Sequence, residues 1–139
     1  MKMNENNAGL AAEILAATFL TNQGLKLVAK NYHCRFGEID LIMRNASTLI
    51  FIEVRLRSNK QFGSAAASIT PQKQQKLILT AQHYLQLHPE KNACRFDVLL
   101  MDKLEVSAIT WIKNALEAWS LHNNLLQLAT IMSFKLCII

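Results

Sequence analysis

The spacing of apolar residues changes from a helical period to a strand period near the start of the chain. From about Ala8 onward, small and apolar residues recur three and four positions apart, which predicts a helix. Asn7 is its predicted N-cap, and Gly24 marks its predicted end. In residues 25–32 the side chains follow an alternating pattern, which predicts a first strand.

Two more strands follow as a predicted hairpin between Gly37 and Arg57. Residues 38–43 and 49–57 are rich in β-branched and aromatic side chains, and turn-forming residues at 45–47 separate them. Acidic side chains interrupt both strands, although most of the other residues are apolar. We therefore expect two buried strands that carry carboxylates.

The chain then returns to a loop and a helix. Residues 58–68 are rich in Ser, Gly and Ala, which predicts a loop with Gly63 at its turn. Thr70 is the predicted N-cap of a second helix, with Pro71 in its first turn, and Pro89 ends it. The apolar stripe of this helix predicts that one of its faces packs on the sheet.

Two strands complete the pattern, one over residues 94–101 and one over residues 106–112. The resulting order, αβββαββ, predicts an α/β fold in which helices flank a mixed β-sheet. We expect one domain over residues 1–118 and a hydrophobic tail, 119–139, that is predicted to be helical. The apolar run in the tail is too short to span a membrane, because a spanning helix needs ~20 apolar residues. It is interpreted as a helix that packs on the domain or as a homodimer contact, with a membrane-surface role as a third alternative.

The composition supports one folded domain and excludes several kinds of site. The chain has 139 residues, of which 51% are hydrophobic and 18% charged, as in globular proteins. Its three cysteines lack a C-x-x-C spacing, so neither a disulfide framework nor a zinc site is indicated. No P-loop and no H-E-x-x-H motif is present. The N-terminal residues lack the apolar core of a signal peptide, which predicts a cytoplasmic protein.

The net charge of +5 lies in one stretch of the sequence. Residues 54–89 contain no Asp or Glu, and their five basic residues account for the whole excess. This distribution favours a polyanion such as a nucleic acid as partner, with an ordinary basic surface as the open alternative. The candidate contacts are Arg57, Lys60, Lys73 and Lys76. Of these, Lys73 and Lys76 are predicted to lie on the exposed side of the second helix.

Carboxylates within strands require a physical reason, because burying a charge is costly unless it is paired or bound to a metal. If pairing of the hairpin strands brings Asp40 near Glu53, the two bare anions would repel. Mg²⁺ would relieve the repulsion. An ion pair between Glu53 and a nearby arginine explains the buried carboxylate equally well. Glu13 lies among small residues on the predicted inward stripe of the first helix, where it can approach the strands. The alternative is an acidic residue near the start of the helix that the helix dipole stabilises.

Five short motifs follow one another in a fixed order: GxxAE at 9–13, RFGEIDLI at 35–42, FIEVRLR at 51–57, TPQK at 70–73 and RFDV at 95–98. In this order they resemble the PD-(D/E)XK, or restriction-endonuclease-like, nuclease superfamily. Within it, the chain is similar to the bacterial YraN family and, more distantly, to the archaeal Holliday-junction resolvases. The likeness extends from about Gly9 to Glu117.

The resemblance implies a restriction-endonuclease-like core and a metal-dependent endonuclease that hydrolyses phosphodiester bonds in DNA, including branched DNA. It implies that Asp40 and Glu53 bind Mg²⁺ or Mn²⁺, and that Glu13 assists them. It also implies that Arg55 occupies the position of the superfamily's catalytic lysine. Arginine stays protonated, so Arg55 cannot act as a base, although it can orient water or stabilise charge. The alternatives are a nucleic-acid-binding module without catalysis, and an interaction protein whose tail mediates assembly.

Overall fold

A computed structural model describes residues 5–57, 69–116 and Trp119. The predicted loop 58–68 with Lys60, and the tail from residue 120 onward, lie outside the described residues. The elements are α1 (Glu5–Asn22), β1 (Lys26–Cys34), β2 (Gly37–Asn45), β3 (Thr48–Leu56), α2 (Pro71–Leu87), β4 (Cys94–Met101), a short 3₁₀ turn (Val106–Ala108) and β5 (Ile109–Ile112). Among these described helices, none is long and apolar enough to cross a membrane.

The order of helices and strands is the predicted one, and the two largest boundary differences are at the starts of α1 and β5. Helix α1 already includes Glu5, so Asn7 lies inside the helix and the prediction that it is the N-cap is wrong. The predicted last strand over 106–112 is also too long, because its first three residues form the 3₁₀ turn. Gly24 ends α1 as predicted, with a positive φ of 95° that suits a residue without a Cβ.

The five strands form one mixed sheet in the order β1-β2-β3-β4-β5. All neighbours are antiparallel except β3 and β4, which are parallel. A parallel pair needs a crossover connection, and α2 lies in the connection between these two strands. The sheet therefore places β3 at its centre, next to the start of α2.

Strand β3 is buried on both faces because each helix packs on a different side of the sheet. Phe51 packs in the cluster that contains the α2 residues, whereas Ile50 and Ile52 pack in the cluster that contains the α1 residues. All three of these side chains are fully buried. Alternation of side chains along a strand explains this division.

Trp119, the first residue of the predicted tail, packs in the core. Its ring lies 5.1 Å from Phe96 and 5.8 Å from Phe51, and its Nε1 donates to the Cys94 carbonyl oxygen at 3.3 Å. The rest of the predicted tail lies outside the described residues. A helical tail and its dimer contact therefore stay predictions.

The start of α2 confirms the predicted cap. The Thr70 hydroxyl accepts a hydrogen bond from the Lys73 backbone N–H at 3.1 Å, and Pro71 occupies the first turn. This cap fixes where α2 begins relative to β3. As a result, the first turn of α2 presents Lys73 to the end of β3, where the acidic side chains lie.

Candidate functional site

Asp40 and Glu53 face each other at the open end of the β2–β3 hairpin. The last paired residues before this end are Leu41 and Ile52, so the next position brings the two carboxylates together. Asp40 Oδ2 also accepts a hydrogen bond from the Val54 backbone N–H at 2.8 Å. This bond holds the Asp40 side chain against β3, next to Glu53, which carries a charge of the same sign.

Glu53 is a buried carboxylate with two cations nearby. Its side chain is 7% exposed, with Lys73 Nζ at 3.5 Å and Arg55 Nε at 3.7 Å from Oε1. Burial, and then the negative charge of Asp40, raise the pKa of Glu53 to about 7. The charges of Lys73 and Arg55 lower the pKa but do not restore its ordinary value. Burial and Asp40 thus outweigh the two cations in setting the pKa of Glu53.

Glu13 reaches the same site from α1. Burial, followed by the charge of Asp40, raises the pKa of Glu13. Oxygen atoms of Glu13, Glu38 and Asp40 all lie within 4.8 Å of one another. Glu53 also interacts with Asp40, so four carboxylates from α1, β2 and β3 lie at this end of the hairpin.

Asn31 on β1 separates two of these carboxylates. With its amide oriented to donate, its side-chain nitrogen lies 3.0 Å from Glu13 Oε2 and 3.1 Å from Glu38 Oε1. Its hydrogen bond lowers the pKa of Glu13 against the two larger effects. The backbone of Asn31 has a φ of 50°, a left-handed conformation that asparagine tolerates better than most residues.

Sequence reasoning identified three of the four carboxylates and missed Glu38 and Asn31 as site residues. A signal for Asn31 was present, because asparagine is depleted in strands and this one interrupts a strand pattern. Its partners could not be read from the sequence. They depend on how closely α1 approaches β1.

The basic residues that were predicted to contact nucleic acid differ in their surroundings. Lys76 is exposed, as predicted, whereas Lys73 is half-buried and contacts Glu53, so the prediction that it lies on the exposed side is wrong. Arg57 forms an ion pair with Asp102 at 2.9 Å, so its guanidinium already has an acidic partner. A phosphate contact by Lys60 stays a prediction, because Lys60 lies outside the described residues.

The donor set fits a hard divalent cation. Carboxylate oxygens are the ligands that Mg²⁺ and Mn²⁺ prefer, and here they crowd together. Beside them, Arg55 Nε is buried and makes no hydrogen bond within the described part of the chain. This N–H is thus available to an anionic oxygen in the site. The arrangement can hold a cation and bind an anion next to it.

Comparison with known proteins gives a consistent family assignment. A family model described as uncharacterised protein family UPF0102 matches residues 12–101, the segment that contains all four carboxylates. A UPF0102 protein of Methylobacillus flagellatus is 53% identical over 107 residues, which cover 77% of this chain and 94% of that protein. A UPF0102 protein of Nitrosomonas europaea is 54% identical over 111 residues, with 80% and 94% covered. One of Legionella pneumophila is 52% identical over 112 residues, with 79% and 94% covered.

Proposed function

The chain belongs to the UPF0102 family, and from its carboxylate site we propose that it is a metal-dependent nuclease that hydrolyses phosphodiester bonds in DNA. One observation carries the proposal: Asp40 and Glu53 lie together at the hairpin end, with Lys73 and Arg55 against Glu53. Burial, and then the charge of Asp40, raise the pKa of Glu53 to about 7, and carboxylates with strongly raised pKa values cluster at functional sites.

We also propose that the fold is a restriction-endonuclease-like core. Support comes from the five-stranded mixed sheet with a helix on each face and from the positions of the carboxylates. The motifs shared with the PD-(D/E)XK superfamily fall on these same elements.

Asp40 and Glu53 would hold the cation, Mg²⁺ or Mn²⁺, with Glu13 and Glu38 close to Asp40. When bound, the cation supplies positive charge to a phosphate oxygen and lowers the pKa of an attacking water. Asp40 is held in place for this role by the Val54 backbone N–H. Glu53 must lose its proton for the site to bind a cation near neutral pH.

The two basic residues beside Glu53 differ in whether they can transfer a proton. Arg55 keeps its proton and offers its free Nε–H to the negative charge that develops on the phosphate. Lysine can exchange a proton, so Lys73 is the one of the two able to protonate the leaving oxygen. In this step a water oxygen bonds to phosphorus and the water gives up a proton to solvent, while the bond from phosphorus to the leaving oxygen breaks and that oxygen takes a proton from Lys73.

A second function, a nucleic-acid-binding module without turnover, is favoured by one observation. Arg55 occupies the position where the similar nucleases carry a lysine, and arginine cannot act as a base. Such a module would bind DNA in a salt-dependent manner and would show no dependence on a divalent cation.

A cleavage assay separates the two functions. Labelled duplex, single-stranded, flap and four-way-junction DNA would be incubated with the purified protein in Mg²⁺, Mn²⁺ or EDTA, beside Asp40→Ala and Glu53→Ala. The nuclease proposal predicts cutting that EDTA and either substitution abolish, with DNA binding retained. Binding without cutting in every metal would favour the module. Equal cutting by the wild type and Asp40→Ala would refute the assignment of Asp40 to the catalytic site.

A further inference from the structure

The turn between β1 and β2 carries an arginine stacked on an aromatic ring. The Arg35 guanidinium lies 4.7 Å from the centre of the Phe36 ring, in a cation-π contact. Arg35 is exposed and Phe36 is half-buried, with its ring in edge contact with His83 of α2. The pair therefore presents a flat, positively charged surface to solvent.

Helix α2 fixes the position of this turn. A Cβ added at Gly37, whose φ is 150°, would lie 3.3 Å from Thr80 Oγ1 and 3.7 Å from Lys76 Cβ. The Tyr32 hydroxyl also hydrogen-bonds His83 Nδ1, which ties β1 to the same helix. The turn is thus packed against α2, and the stem of Lys76 lies next to it.

The turn is connected directly to the carboxylates. It leads into Glu38 and Asp40, one and three positions after Gly37. Lys73, one helical turn before Lys76, contacts Glu53. Arg35 and Lys76 form no ion pair with any carboxylate of the described ranges, so their charges are available to a partner.

We propose that Arg35, Phe36 and Lys76 bind an unpaired strand of the nucleic acid next to the cleavage site. This inference rests on the proposed function. Arg35 and Lys76 would contact backbone phosphates, and the plane of Arg35 on Phe36 would stack on an unstacked base. Bases within a duplex are already stacked on each other and cannot use this plane. The surface therefore selects single-stranded segments, such as flaps or the arms of an opened junction.

The experiment measures binding of fluorescent oligo-dT and of a duplex by anisotropy, in EDTA and over a range of salt concentrations. Arg35→Ala, Arg35→Lys, Phe36→Leu and Lys76→Ala would be compared with the wild type. Lys26→Ala is the matched control, because Lys26 is an exposed cation at the opposite end of β1. Thermal melting would establish that each variant is folded.

Arg35→Ala should weaken oligo-dT binding about 10-fold and reduce the slope of log affinity against log salt by about 0.7, the value for one lost phosphate contact on a single strand. Lys76→Ala should reduce the slope in the same way. Arg35→Lys should keep the slope yet lose affinity. Phe36→Leu should also lose affinity at an unchanged slope, because leucine fills space without a π-face. Lys26→Ala should bind like the wild type.

The outcomes separate this inference from the proposed function. If the wild type binds neither DNA, the proposed function fails. If the wild type binds and Arg35→Ala behaves like Lys26→Ala, the surface is wrong while the proposed function stands. If Arg35→Ala and Phe36→Leu weaken duplex binding as much as oligo-dT binding, the selection of a single strand is refuted.

Discussion

Replacing Glu53 by glutamine should stabilise the metal-free protein at neutral and alkaline pH. Glu53 is buried beside Asp40, and the two nearby cations do not compensate for its burial. Glutamine has nearly the same volume and carries no charge. The substitution therefore removes the cost of ionisation and leaves the packing in place.

The magnitude follows from the pKa of Glu53, which rises from 4.5 to about 7 on folding. Each pH unit between these values is worth about 1.4 kcal/mol, so the ionised side chain costs the folded state about 3 kcal/mol. Below pH 4.5 the side chain is protonated in both states and the stability is fully present. Stability then falls as the pH rises toward 7, because the folded state binds more protons than the unfolded chain.

Urea unfolding of the wild type and Glu53→Gln, in EDTA at several pH values, measures this difference. Relative to its value in acid, the advantage of Glu53→Gln should grow by about 3 kcal/mol as the pH passes 7 and then level off. Groups that do not interact with Glu53 cancel in the comparison. A difference that stays constant across this pH range would refute the reasoning.

Glu90→Gln is the matched control, because its effect should have the opposite sign. Arg44 donates a hydrogen bond to Glu90 and lowers the pKa of that carboxyl. The wild type should therefore be the more stable protein at neutral pH. Its advantage should disappear in acid, as Glu90 takes up a proton.

Three further substitutions test other parts of the account. Asn31→Gly keeps the positive φ and removes the amide that bridges Glu13 and Glu38, so calorimetry should show about 10-fold weaker Mn²⁺ binding. Asn31→Ala should add a loss of about 1 kcal/mol in urea unfolding from the left-handed backbone, and Mn²⁺ binding equal to the wild type in both variants would contradict the role of the amide. Lys73→Arg keeps the charge beside Glu53 but cannot release a proton, so it should retain DNA binding and lose about 100-fold in single-turnover cleavage; wild-type cleavage would remove Lys73 as the proton donor. Gly37→Ala should destabilise the protein by about 1 kcal/mol or more in urea, because its φ of 150° and the Thr80 hydroxyl both oppose a Cβ, and unchanged stability would show that the turn is not packed as described.

The element order could be predicted from the sequence because its signals are local. The Thr70–Pro71 start of α2 and the Gly24 end of α1 depend on capping and on backbone conformation at single residues. The sequence also placed Asp40 and Glu53 on neighbouring strands, and the strand register decides whether they face each other. A short turn fixes the hairpin register, and the register fixes which side chains face each other.

Features that depend on how elements dock could not be predicted. Lys73 and Lys76 are three residues apart on one helix, yet only Lys73 contacts the site, because the angle of α2 on the sheet decides which one points inward. The bridge from Asn31 to Glu13 likewise requires the distance between α1 and β1. The predicted start of α1 was wrong because Asn6 and Asn7 are helical despite the low helix propensity of asparagine, so α1 already includes Glu5.

The most direct test of the central claim is single-turnover cleavage by wild type and Asp40→Asn, with DNA affinity measured in the same samples. Asparagine keeps the shape of Asp40 and removes the charge that the cation requires. We predict that the wild type cuts in Mg²⁺ and that Asp40→Asn loses at least about 100-fold in rate, at a DNA affinity within about 3-fold of the wild type. Cutting by Asp40→Asn at the wild-type rate, or wild-type cutting that persists in EDTA, would contradict the account.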